Sequence, residues 1–356
     1  MPRPAAAARR TLLALLLGPL LGLVLPELLV RHDQRLWREM ADSGIPDVPR
    51  TEALLRLHQP GEVDVVVVGD SVAFHSVDET QLEQRLALGP GRVLNLAVRG
   101  ASAVGTAMVA ADALELRPRV LVYVAARLDL ARFRPKSLTR YYTPRVAFRL
   151  FSFRELFRDR EAHLAAAIEW SSVVHRRMRP TLEGRLVGQS ERPDETPRRE
   201  LSPLPPEQML LSIRHATSEL RRHPFADAGP GPRAVRLMAT LSYEAGATPV
   251  CLQAPLHPGL PGGSNYSRRV EAFLARLASV PGAETTPRLA PPSARLEGAT
   301  PEPARRFLHV PATQLGAFGE DDFRDAIHLA SSGRERLTAT LAEVIGPLLE
   351  QSRALQ

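Results

Sequence analysis

The chain has 356 residues, of which 44% are hydrophobic and 24% charged, and its 46 Lys and Arg outnumber 39 Asp and Glu to give a formal charge of +7. This is globular composition, enough for one large domain or two ordinary ones, and it excludes a disordered chain. The single cysteine, Cys251, excludes an internal disulfide framework and a thiolate zinc cluster. Lys136 is the only lysine, so the positive charge is an arginine bias rather than a nucleic-acid footprint. No nucleic-acid partner is expected from it; an anionic membrane or an acidic envelope polymer would suit the charge equally well.

Residues 11–30, TLLALLLGPLLGLVLPELLV, carry one charge, Glu27. As a helix they would span about 30 Å, the thickness of a bilayer's hydrocarbon. Arg3, Arg9 and Arg10 precede the run and suit an inside N-terminus, although Arg31, Arg35 and Arg38 follow it. A cleaved signal peptide calls for a shorter apolar core and a small-x-small site, whereas Pro26, Glu27 and bulky residues follow Leu25. Residues 1–31 are therefore expected to be a cytoplasmic tip and an uncleaved transmembrane signal-anchor. That puts the main domain on the extracytoplasmic side of the inner (cytoplasmic) membrane.

Residues 32–60 read as a polar connector with short helical stretches. VDVVVVGDS (63–71) is a β-branched run closed by Gly, the mark of a strand buried on both faces. Asp78 and Gln81 resemble a capping box opening a helix to about Leu88. Residues 92–98 form a second strand, 102–116 a helix and 119–125 a third strand. An amphipathic helix over 232–246, a strand over 248–256, a helix over 265–280, a strand over 305–312 and a helix over 333–350 follow. Strands alternating with helices imply an α/β fold with a parallel sheet of about five strands and helices on both faces. Ligands of such sheets bind beyond the carboxyl ends of the strands.

Residues 130–231 interrupt the alternation within a domain running over 61–350, and read as a largely helical insertion. Tyr141, Tyr142, Phe148, Phe151, Phe153, Phe157 and Trp170 interleave there with arginines. Two readings stand: a cap that touches membrane or partner, or helices whose aromatics pack on the core. Residues 189–207 read as a mobile loop within this insertion.

Metal and phosphate motifs are missing: the sequence has no H-E-x-x-H, C-x-x-C, Walker loop or G-x-G-x-x-G, and no G-x-S-x-G elbow. Three short blocks carry the chemistry instead. Gly69-Asp70-Ser71 follows the first strand directly, which puts a serine at the strand's carboxyl end. Asn95 to Gly100 follows the second strand. Asp325-Ala326-Ile327-His328 lies near the C-terminus. In a tight turn its three-residue spacing lets the carboxylate reach the imidazole Nδ1–H, leaving Nε2 to deprotonate a serine.

These blocks, in this order, resemble those of the SGNH hydrolases, also called the GDSL family. The resemblance implies a flavodoxin-like three-layer α/β/α fold. It implies Ser71 as nucleophile, His328 as general base and Asp325 as its orienter. The amides of Ser71 and Gly100 would form the oxyanion hole, and the chemistry calls for no metal or cofactor. One block departs. The family usually has G-x-N-D after the third strand, but Val124-Ala125-Ala126-Arg127-Leu128-Asp129 stands here. Losing that Asn donor costs on the order of 10²–10³ in rate unless replaced. Arg127 is the candidate replacement; it would otherwise bind an anionic substrate group, face solvent or pair with Asp129.

The anchor, the core blocks and the altered third block are similar to envelope proteins of alginate O-acetylation and teichoic-acid D-alanylation. The expectation is a membrane-anchored serine esterase or O-acyltransferase. Its substrate would be an acylated glycan, cell-wall polymer or other acyl ester, and its partner a membrane-bound O-acyltransferase. An inactive assembly protein on the same fold and a lipid esterase are the alternatives.

Overall fold

The computed structural model describes residues 28, 32–42, 48–126, 129–130, 146, 149–150, 202–222, 225–260, 265–279 and 307–354. Of the expected elements, the apolar run 11–30 apart from Leu28, Arg127, most of the aromatic and arginine-rich segment 137–178, and residues 189–201 of the expected loop lie outside the described residues. Among the described residues no helix is long and apolar enough to cross a membrane.

The chain has an α/β fold built on one five-stranded parallel sheet. In chain order the elements are α1 (Gln34–Ala41), α2 (Val48–Leu57), β1 (Val65–Gly69), α3 (Ser71–Ser76), α4 (Glu79–Arg85), β2 (Val93–Asn95), α5 (Ala103–Ala113) and β3 (Val120–Ala125). Then come α6 (Pro206–Arg222), inside the expected insertion, α7 (Pro230–Glu244), which begins at its end, β4 (Thr248–Gln253), α8 (Asn265–Ser279), β5 (Leu308–Val310) and α9 (Ser331–Ala354). The strand order is β2-β1-β3-β4-β5. The chain goes outward from β1 to β2 and then returns past β1 to β3. The reversal puts a switch point between β1 and β3, where sheets of this kind open a crevice at the carboxyl edge.

Strand β1 shows why the sheet is buried on both sides. Its side chains alternate between faces, and both faces are apolar. Val66 and Val68 join Leu121 and Tyr123 of β3, Met108 of α5, Val235 and Met238 of α7, and Phe273 of α8. Val65 and Val67 join Val122 and Val124 of β3, Leu82 of α4, and Leu337, Leu341 and Ile345 of α9. Each buried valine contributes about 1.5–3 kcal/mol of apolar burial. A polar residue anywhere in the run would lose that and strand its own polar atoms.

Local chemistry sets the ends of several elements. Asp78 caps α4 by accepting the Gln81 amide at 3.0 Å. The reciprocal half of a capping box does not form, because Oε1 of Gln81 is buried without a partner among the described residues. Strand β2 is shorter than the expected 92–98. Beyond it, the amides of Leu96 and Val98 still donate to the Val67 and Gly69 carbonyls, at 2.8 and 3.0 Å. This keeps the loop that follows β2 against the end of β1.

Helix α2, within the expected connector, is docked on the domain. Arg50 is buried and donates to the Asn95 carbonyl at 2.7 Å, and the Thr51 hydroxyl reaches the Leu96 carbonyl at 3.4 Å. Leu54 and Leu55 pack against one of the two sheet cores.

Candidate active site

Ser71 stands at the first position of α3, immediately beyond β1. Asp70 makes the turn from strand to helix: its Oδ1 accepts the Val72 amide at 2.8 Å, and its carbonyl accepts the Phe74 amide at 3.2 Å. Gly69 is required just before it. A Cβ at position 69 would lie 2.5 Å from the Ala73 Cβ and 2.9 Å from the Val124 carbonyl oxygen. Only a residue without a side chain lets α3 start this close to β3.

The loop from Phe323 to Leu329 carries the other two candidates. Phe323 and Leu329, both buried, form an antiparallel bridge, and inside it the Arg324 amide donates to the His328 carbonyl at 2.9 Å. Asp325 closes this turn from within, its Oδ1 accepting the amides of Ile327 and His328 at 2.9 Å each. Its Oδ2 remains for the imidazole and lies 2.8 Å from His328 Nδ1. Nε2 of His328 lies 2.9 Å from Ser71 Oγ.

Burial on its own would raise the Asp325 carboxyl. The hydrogen bond and charge of His328 and the two amides outweigh it and hold the group at about 2. An ionised Asp325 can only accept, so Nδ1 of His328 carries a proton, and in the neutral ring Nε2 then accepts from the Ser71 hydroxyl. The arrangement can take the serine proton as oxygen attacks a carbonyl, and return it to a leaving alcohol.

The second block has two different parts. Asn95 is fully buried and structural in character. Its Nδ2 donates to the carbonyls of Ala73 and Val77 at 3.2 and 3.4 Å, and its Oδ1 accepts the Ala97 amide at 3.2 Å. It ties α3, and with it Ser71, to β2. Gly100 is exposed in a turn with φ +68°, a conformation that favours glycine. The Val98–Gly69 hydrogen bond holds this loop beside the turn that carries Ser71. Arg127, the candidate third oxyanion donor, lies outside the described residues.

Sequence reasoning missed several neighbours of the site. His75, one helical turn after Ser71, stands edge-on to His328 with ring centroids 5.3 Å apart. Burial, then repulsion from His328, Arg324 and Arg334, lowers it to about 4, so it is neutral at pH 7. Its i, i+4 spacing from the serine was the available signal. Ser212 of α6 accepts the Ala326 amide at 3.1 Å, and the Leu204 amide donates to the Arg324 carbonyl at 2.8 Å. The end of the expected insertion thus braces the Asp325–His328 turn, a long-range pairing with no local signature. Among the described residues no cluster of His, Cys, Asp and Glu is arranged to hold a metal ion. Comparison of the chain with protein-family models and with curated proteins finds no match to either.

Proposed function

We propose that this chain is an SGNH-type serine esterase or O-acyltransferase, with Ser71 as nucleophile, His328 as general base and Asp325 as the residue that orients it. The observation that carries the reading is the continuous hydrogen-bonded relay from Asp325 Oδ2 through both ring nitrogens of His328 to Ser71 Oγ. Its position at the carboxyl end of β1, beside the β1–β3 switch point, supports the same reading. The strand order is also that of a flavodoxin-like fold.

Attack by Ser71 on an acyl ester releases an alcohol and leaves an acyl-enzyme, which water or a sugar hydroxyl then resolves. The amides of Ser71 and Gly100 bind the oxyanion in this scheme, with Arg127 as a third donor. The apolar run 11–30 anchors the protein in the inner membrane, with the catalytic domain outside the cytoplasm. There the substrate is an acylated glycan or cell-wall polymer, handled beside a membrane-bound acyltransferase.

Intact-mass measurement of the purified chain after exposure to a fluorophosphonate and to activated acyl donors tests the proposal. A covalent adduct mapped to Ser71 and absent from Ser71→Ala is expected. No adduct on Ser71 with any donor would leave the fold without its enzyme.

A further inference from the structure

Strand β2 lies at the edge of the sheet, and side chains serve the polar groups along its free side. The Val93 amide donates to Glu83 Oε1 at 3.0 Å, and the Asn95 amide to Glu79 Oε1 at 2.7 Å. The Asn95 carbonyl needs a donor instead, and Nη1 of Arg50 in α2 supplies it at 2.7 Å. The same guanidinium reaches Glu79 Oε1 through Nη2 at 3.4 Å, so the two groups that hold the Asn95 backbone also pair with each other. It stands over the Phe74 ring as well, 5.2 Å from the centroid. Arg50 is 6% exposed.

These contacts converge on the two segments that carry the nucleophile and the oxyanion loop. Phe74 lies three residues beyond Ser71 on the short helix α3. Asn95 ends β2 and opens the loop to Gly100, while its side chain holds the Ala73 and Val77 carbonyls of α3 and its C-cap. With Arg50 and Glu79 on its backbone and the Ala97 amide on Oδ1, every polar group of Asn95 is bound. Thr51, beside Arg50, donates to the next carbonyl, that of Leu96, at 3.4 Å.

A buried guanidinium adds little to stability, since its desolvation offsets much of what its partners return. What it fixes is direction, because its planar fork accepts one arrangement of carbonyl and carboxylate. We propose that Arg50 is a positioning residue of the site. Through Asn95 and Phe74 it sets α3, and with it Ser71, against the loop that carries the Gly100 amide. The role in catalysis rests on the serine-enzyme reading above; the clamp itself does not. Arg50 belongs to the connector 32–60, so the segment that follows the apolar run supplies part of the site's frame and is no free tether. Ser71 and the Gly100 amide act on the same carbonyl, one on its carbon and the other on its oxygen. A shift between them weakens the transition state and leaves substrate binding as it was.

Two measurements on the full chain test the two halves. Hydrogen exchange, read by mass spectrometry over peptides 70–77 and 93–100, reads the clamp. Arg50→Ala is expected to lose protection in both, and Leu277→Ala in neither. Leu277 is buried in α8, which packs on β5 at the opposite edge of the sheet, so its variant controls for lost stability alone. Chromogenic ester turnover, measured well below each Tm, reads the role. The kcat of Arg50→Ala is expected to fall about 10²-fold at unchanged KM, while Leu277→Ala keeps the wild-type kcat. If Arg50→Ala does not fold, Arg50→Lys takes its place in both measurements. Lysine keeps the charge beside Glu79 but cannot fork to the carbonyl, and its kcat is expected to fall about tenfold. Unchanged protection overturns the clamp. Lost protection with a kcat no lower than that of Leu277→Ala overturns the positioning role. Lost protection in a chain whose wild type turns over no ester leaves the clamp standing, and removes the positioning role together with the enzyme reading.

Discussion

Asp325 holds His328 twice, through the ring nitrogen at 2.8 Å and through the backbone amide at 2.9 Å. One carboxylate thus shapes the turn and orients the imidazole, using a different oxygen for each. Asp325→Asn can still take the amides on its oxygen, but its NH2 then faces Nδ1 and favours the wrong tautomer. Turnover is expected to fall on the order of 10⁴-fold with the turn intact. The pH dependence of stability separates the two roles. The Asp325 carboxyl is depressed to about 2, so its stabilisation is complete above the ordinary Asp value and is lost as pH falls toward 2. It amounts to about 2 kcal/mol. Acid titration of unfolding should show this loss in the wild type and not in Asp325→Asn.

Ser71→Ala and His328→Ala should each lower turnover on the order of 10⁶-fold, and the double variant little further, because the residues act as a unit. Thermal unfolding of Ser71→Ala should match the wild type, since Asp70 and not Ser71 caps α3. A Ser71→Ala protein with wild-type turnover would move the nucleophile elsewhere.

Gly69→Ala places a methyl group 2.5 Å from the Ala73 Cβ and 2.9 Å from the Val124 carbonyl. Both neighbours belong to packed elements, so the backbone must shift, at a cost of about 1–3 kcal/mol. The shift falls on the residues that aim Ser71. Loss of fluorophosphonate labelling should therefore exceed what the drop in Tm accounts for.

Asn95→Ala leaves the carbonyls of Ala73 and Val77 and the amide of Ala97 without their buried partner. A destabilisation of about 2–3 kcal/mol is expected. Denaturant unfolding checks it, and Asn95→Asp should do no better, because a carboxylate has no N–H to donate to the two carbonyls.

A reporter enzyme fused after residue 60 tests the anchor. Activity only outside the cytoplasm is expected from the apolar run 11–30 and the arginines before it. Activity of the fusion inside the cytoplasm would remove the envelope role from the proposal.

Much of the sheet was legible because its signals are local. Four consecutive valines closed by Gly69 can only be a strand covered on both faces. The alternation of such runs with amphipathic helices then dictates parallel pairing. Asp325 and His328 were legible for the same reason, since three-residue spacing in a turn brings carboxylate and imidazole together whatever surrounds them. Ser71 is different. Its place at a strand end was readable, but its 2.9 Å approach to His328 spans 257 residues and depends on how α9 and the loop before it pack on the sheet. Asp129 shows the limit most plainly. In the sequence it is an acid after an altered motif, a possible partner for Arg127. The bond from the Ala103 amide to its carbonyl arises only when α5 packs beside the end of β3. The sequence determines which residues lie at strand ends, because hydrophobic periodicity is a local property. Which of those ends meet is decided by strand order, a property of the whole chain's packing.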